Sequence, residues 1–208
     1  DIIVHNIDMP GHNLTFTSEN GNILIGYINL GEGDFYAQAK GDIHEIEEAD
    51  EDIDLVAKNV TLIAQEGKIG KVKDSQLNLE TEIEFLISQS QSIFINQADT
   101  IELSLVKAKE AAVIRVENGD LLINLIEVSK ENGRIELHSI NGSIREVDNY
   151  DSDADVVGYY AYLKALYLIG CETDPNLNLE FDVVVLEIDA YDLIMNVEGD
   201  IELNVTLQ

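Results

Sequence analysis

The sequence predicts an all-β protein wound as a parallel β-helix, a β-solenoid. Three observations carry that prediction. Short apolar strands follow Asn-Gly or Gly-Asp pairs along the whole chain, at Asn20-Gly21, Gly41-Asp42, Asn118-Gly119, Asn132-Gly133, Asn141-Gly142 and Gly199-Asp200. Apolar and polar residues alternate with a period of two inside the segments between those turns. The chain also repeats itself at an offset of about 100 residues, the signature of an array of similar units.

The turns come first in the argument. Glu19-Asn20-Gly21-Asn22 leads into Ile23-Leu24-Ile25, and Glu117-Asn118-Gly119-Asp120 leads into Leu121-Leu122-Ile123. Asn-Gly and Gly-Asp adopt positive φ at low cost, so they end one strand and start the next.

The strands come second. Ile53, Leu55, Ala57, Val60, Leu62 and Ala64 fall on one side of an extended segment, with Asp52, Asp54, Thr61 and Ile63 on the other. Leu77, Leu79, Ile83 and Phe85 alternate likewise with Asn78, Glu80, Glu82 and Glu84. Such alternation describes half-buried strands. A helix is arguable only between Val106 and Ala112, where Lys107, Lys109 and Glu110 interrupt the pattern.

The repeat comes third. At an offset of 100, twelve identities fall between residues 69 and 104, among them Ile69-Gly70, Leu77-Asn78-Leu79-Glu80 and Ile101-Glu102-Leu103. Roughly two would arise from ordinary composition. At nearby offsets Asp42-Ile43-His44-Glu45 pairs with Ser143-Ile144-Arg145-Glu146, and Asp52 to Val56 pairs with Asp153 to Val157. The reading is one solenoid domain, 1–208, of two super-repeats at about 1–98 and 99–208. Each unit would hold about five coils of roughly twenty residues, every strand pairing with its equivalents above and below.

Those segments resemble a known family. The series Gly-Asp-Ile, Asp-Ile-Asp-Leu-Val-Ala, Val-Thr-Leu-Ile-Ala, Lys-Ile-Gly, Leu-Asn-Leu-Glu-Thr and Ser-Ile-Phe-Ile-Asn-Gln-Ala-Asp is similar to the tandem repeats of filamentous-haemagglutinin-like bacterial surface adhesins. The similarity spans nearly the whole chain. It implies a secreted, right-handed β-helical shaft at the bacterial cell surface, adhesive or structural, with no catalytic residues to carry over. The second copy departs from the pattern where Gln97-Ala98-Asp99 becomes Val197-Glu198-Gly199.

Composition narrows the function classes. Forty-one acidic against twelve basic residues give a net charge of −29. That balance repels nucleic acid and anionic membranes, which need clustered Lys and Arg, and it favours divalent cations. No apolar run approaches the ~20 residues that span a bilayer as a helix. The single Cys171 excludes a disulfide framework within the chain and stands as an incidental thiol. Residue 1 is Asp, and the segment reads as a mature product or an excised piece.

Two sets of residues stand out. Asp50, Asp52 and Asp54 recur as Asp151, Asp153 and Asp155, with Asp148 nearby. Carboxylates two apart on an extended segment face the same way and can gather oxygen ligands for a hard cation such as Ca²⁺; the alternative is a solvated acidic face. The second set is aromatic. Aligning the copies sets Lys58 against Tyr159, Asn59 against Tyr160, Thr61 against Tyr162, Glu66 against Tyr167 and Glu84 against Val184. Outward polar positions thus become apolar in the second copy, which marks an interface with a subunit or neighbouring element. A loop such as 146–152 folded over that face is the alternative.

The remaining chemistry is thin. His5, His12, His44 and His138 lack a second His or Cys at ligand spacing, so zinc has no support. Asn96 and Asn196 read as turn residues. Arg115, Arg134 and Arg145 sit at unrelated phases, which weakens a polysaccharide-active enzyme as a rival reading. The expected function is a structural or adhesive rod segment of a secreted surface protein or extracellular fibre, without catalysis. Its partners would be neighbouring repeats or subunits, a host surface or polysaccharide. A head-to-tail filament subunit is the runner-up.

Overall fold

The computed structural model is a parallel β-solenoid of about 23 residues per turn, with no helix among the described residues. It describes the chain except residues 47–51, 74–75, 78, 148–152, 171–178, 195, 198–200 and 208. Ile2 lies beside Ile23, Ile23 beside Ile43, Ile43 beside Ile69 and Ile69 beside Ile93, an advance of 20 to 26 residues each time. The second unit repeats that column as Ile101, Leu121, Ile144, Ile169 and Leu193.

Every turn sends alternate side chains into one continuous core. Ile23, Ile25, Ile28, Leu55, Leu62, Ile69, Leu121, Ile123, Ile135 and Leu163 are completely buried in it. Burying such side chains supplies the drive for stacking, at about 25 cal/mol per Å² of apolar surface. Of the expected inward set, Leu55, Ala57, Val60, Leu62 and Ala64 are buried as alternation requires, whereas Ile53 is half-buried and Asp54, expected outward, is buried, because the strand begins only at Leu55.

Three local readings differ from the structure. Residues 101–116 form one strand rather than a helix, because both flanking turns offer it parallel partners. Alternation also slips between Ile83 and Leu86. Ile83 pairs with Ala57 and Phe85 with Asn59, and the core position passes to Leu86 while Phe85 is only half-buried. Asn96 lies within the strand Glu80–Gln97, not in a turn.

The junction between units opens in the same register in both, and then differs: a shift after Leu86 sets Ile87 against Leu105, whereas Glu187 continues without a shift against Asn204. Phe85 pairs with Glu102 and Leu86 with Leu103, an advance of 17 residues. In the second unit Val185 pairs with Glu202 and Leu186 with Leu203.

The turn glycines work by clearance more than by dihedral. Of the recurrent Asn-Gly and Gly-Asp glycines that are described, Gly119 has a positive φ, 117°. At Gly21 an added Cβ would lie 2.8 Å from the Asp1 backbone nitrogen, and at Gly142 it would strike the Gly119 carbonyl. Adjacent turns approach too closely there for any side chain.

Candidate functional site

Two carboxylate triads, buried except for the half-buried Glu180, occupy equivalent places in the two units. One is Glu45, Asp54 and Glu80; the other is Glu146, Asp155 and Glu180. In each triad one carboxylate oxygen per residue lies within 4.8 Å of the others.

The fold creates the triads by placing acids where the column calls for apolar side chains. Glu45 follows Val4 and Ile25 in one inward column, and Glu146 follows Leu103 and Ile123 in its equivalent. Both glutamates are buried. Asp54 and Asp155 stand at the corner just before buried Leu55 and Val156, and each is clamped by the backbone of the next turn. The Asp54 N–H donates to the Glu80 carbonyl at 2.9 Å, and the Glu80 N–H donates to Asp54 Oδ2 at 3.0 Å. The second unit reproduces the pair at 3.0 Å and 2.9 Å between Asp155 and Glu180. A second clamp lies beside them: the Gly70 N–H donates to the Ile43 carbonyl at 2.8 Å, as Gly170 does to Ile144 at 2.9 Å.

Three carboxylates this close inside a core cannot all stay ionised unless something neutralises them. Burial, the charges of Glu146 and Glu180 and a side-chain hydrogen bond with Glu180 push the Asp155 carboxyl up to about 8. The Glu180 N–H partly opposes that rise. Two neutralisers fit the donor set. A shared proton converts one carboxylate into a hydrogen-bond donor, and a hard cation such as Ca²⁺ accepts oxygen ligands of this kind. Three oxygens are half of the six or more that Ca²⁺ takes, so carbonyls or water would complete its shell.

The sequence-predicted acids divide. Asp54 and Asp155 are buried in the triads, whereas Asp52 and Asp153 are exposed, since the segment before Leu55 is a bend and not a strand. Asp50, Asp148 and Asp151 lie outside the described residues. Reasoning from short spacing missed Glu45, Glu80, Glu146 and Glu180. The signal was present in the self-comparison, which aligns Glu45 with Glu146 and Glu80 with Glu180.

The aromatic set spreads over one outer sheet and its two corners. Tyr160 and Tyr162 face outward on the strand Tyr160–Ala165. The Tyr160 hydroxyl donates to Glu187 at 2.7 Å, and the Arg134 guanidinium lies 5.2 Å from its ring centre. Tyr162 meets His138 edge-on at 5.3 Å. Tyr159 and Val184 share one corner, where the Tyr159 carbonyl accepts the Val184 N–H at 3.0 Å. Tyr167 sits at the other, and its carbonyl accepts the N–H of Tyr191 at 3.1 Å. Tyr167 and Tyr191 are 56% and 63% exposed, with Leu166 beside them at 41%. The loop considered as a cover for this face includes residues 148–152, outside the described residues.

By architecture the protein is a parallel β-solenoid with paired acidic clusters in its interior. Comparison with family models, curated proteins and solved structures found no match, so its function is read from its own geometry.

Proposed function

We propose that this chain is a structural or adhesive rod segment of a secreted cell-surface protein or extracellular fibre, without catalysis. The observation that carries the reading is the continuous apolar core running through both units with equivalent inward columns. Such a core makes a stiff spacer, because each turn is held by the turns below and above it. The −29 charge suits an extended, non-aggregating exterior. The carboxylate triads recur once per unit, as elements of a scaffold do, and all their members but the half-buried Glu180 are buried.

The resemblance to filamentous-haemagglutinin-like repeats supports a place on the bacterial surface, and the Tyr-rich outer sheet of the second unit supplies contact area for a neighbouring element or a host polysaccharide. Small-angle scattering of residues 1–208 tests the rod: the expected profile is that of an elongated, rigid cylinder. Surface labelling with antibody on intact source cells tests location. A compact or flexible scattering profile overturns the rod, and labelling only after cell lysis overturns the surface assignment.

A further inference from the structure

We infer that a cleft beside Lys109 is a binding site for a sugar unit that carries a carboxylate, a hexuronate. The site goes beyond the rod reading and stands whether or not that reading holds. The cleft arises where the strand pairing slips. Ser90 lies opposite Ala108 but Ser92 lies opposite Ala111, so Lys109 and Glu110 together face Gln91 alone. A bulge of this kind interrupts the ladder and re-aims the side chains on it. One turn further, Lys107 pairs with Glu127 and Ala111 with Arg134, and residues 128–133 leave the sheet between them. The Ser129 N–H still reaches the Lys109 carbonyl at 3.3 Å, which ties the loop down at its start. A cavity of about 270 Å³ remains between bulge and loop.

The lining divides into a floor and a rim. Ala108 and Val128, both buried, form the floor together with Ser90. Ser90 is only 5% exposed, and its hydroxyl has no hydrogen-bond partner among the described residues. Leaving a buried hydroxyl in that state is unfavourable, and a ligand oxygen met by rotation about χ1 would satisfy it. On the rim, Lys107 is held by Glu127 at 2.8 Å. Lys109 is exposed and forms no ion pair among the described residues, so its ammonium is free to meet an anion.

One ligand chemistry uses all of these groups. The Lys109 ammonium takes a carboxylate. The Gln89 amide, the Ser129 hydroxyl and the Glu127 carboxylate are placed around the cleft for ring hydroxyls, and the apolar floor suits the C–H face of a pyranose. The cavity lies just below the roughly 300 Å³ at which pockets for drug-sized ligands begin, so it holds one ring. The −29 charge of the chain opposes an anion at long range, and salt at ~0.15 M screens that field beyond about 8 Å.

Backbone amide shifts of the isotope-labelled protein, titrated at ~0.15 M salt, read the site. Galacturonate is expected to move the signals of Ala108, Lys109 and Ser129 saturably, while galactose, the same ring without the carboxylate, leaves them in place. Lys109→Gln should weaken binding about tenfold, the loss of one charge-assisted bond, and Ser90→Ala about fivefold. Lys58→Gln, which removes a lysine held by Glu32 and Glu84 at another cleft, should change nothing. Circular dichroism melting confirms that each variant is folded. The two sources of a hexuronate are separated by polygalacturonate: the same signals moving with the polymer assign the site to a polysaccharide, and movement with the monosaccharide alone assigns it to a free sugar acid. No saturable shift with either acid overturns the inference, as does an equal response to galactose. So does unchanged binding in Lys109→Gln or Ser90→Ala, or an equal loss in Lys58→Gln. Scattering reports on the rod separately, so the two readings fail independently.

Discussion

Asn22 Oδ1 accepts the backbone N–H of Asp42 at 2.8 Å, one turn up the solenoid. The contact belongs to a ladder. Asp1 accepts from Asn22 at 2.7 Å, Asp42 from Lys68 at 2.8 Å, Thr100 from Asp120 at 3.1 Å and Asp120 from Ser143 at 2.8 Å. The residue that opens each strand thus hands its side-chain oxygen to the equivalent N–H of the following turn.

Removing one rung of that ladder leaves a part-buried N–H without its acceptor. Asn22→Ala is expected to lower stability by about 1–3 kcal/mol, and Asn22→Asp, which keeps the oxygen, by less. Urea denaturation followed by circular dichroism measures both. Equal losses would show that the acceptor is not what matters.

Gly70 combines a φ of 66° with a Cβ position occupied by the Phe94 carbonyl. Gly11 has a φ of 77° and open space around it. Gly70→Ala should therefore cost clearly more than Gly11→Ala, which carries only the dihedral strain of about 1–2 kcal/mol. Denaturation midpoints of the two variants decide the order.

The Asp155 triad makes stability depend on pH. An acid held at about 8 when folded, against about 3.9 unfolded, binds its proton more tightly in the folded state. Its stabilising contribution is fully present below the unfolded value and is lost as pH rises through about 8. The slope for one proton is about 1.4 kcal/mol per pH unit between those limits. Wild type should weaken from pH 5 to 8 more steeply than Asp155→Asn. Self-repulsion among the other acids is common to both proteins and drops out of the difference.

Protons and Ca²⁺ compete for the same oxygens. At pH above 8 added Ca²⁺ should raise the melting temperature of the wild type, and a chelator should reverse it. Glu45→Gln with Glu146→Gln, one change in each triad, should abolish most of the response. A melting temperature indifferent to Ca²⁺ would leave protons as the neutraliser.

Tyr160 ties Arg134 to Glu187 across three strands. Tyr160→Phe loses the hydroxyl bond and keeps the ring. It should cost about 1 kcal/mol, whereas Tyr160→Ser should cost more. Thermal melts of the pair separate the ring's contribution from that of the hydroxyl.

The architecture was legible in the sequence because solenoid physics is local and periodic. Alternation at Leu55 to Ala64 needs only a half-buried strand, and a match such as Ile69-Gly70 with Ile169-Gly170 needs only a repeating environment. Tertiary structure decided everything that depends on which turn lies next to which. Residues spread from 45 to 80 become neighbours at one corner, and only stacking puts Glu45 in a column of Val4 and Ile25. The role of the turn glycines was decided in the same way. Asn20-Gly21 signals a bend from its own dihedral preferences, but what excludes a side chain at Gly21 is the backbone of Asp1, one full turn away in the chain.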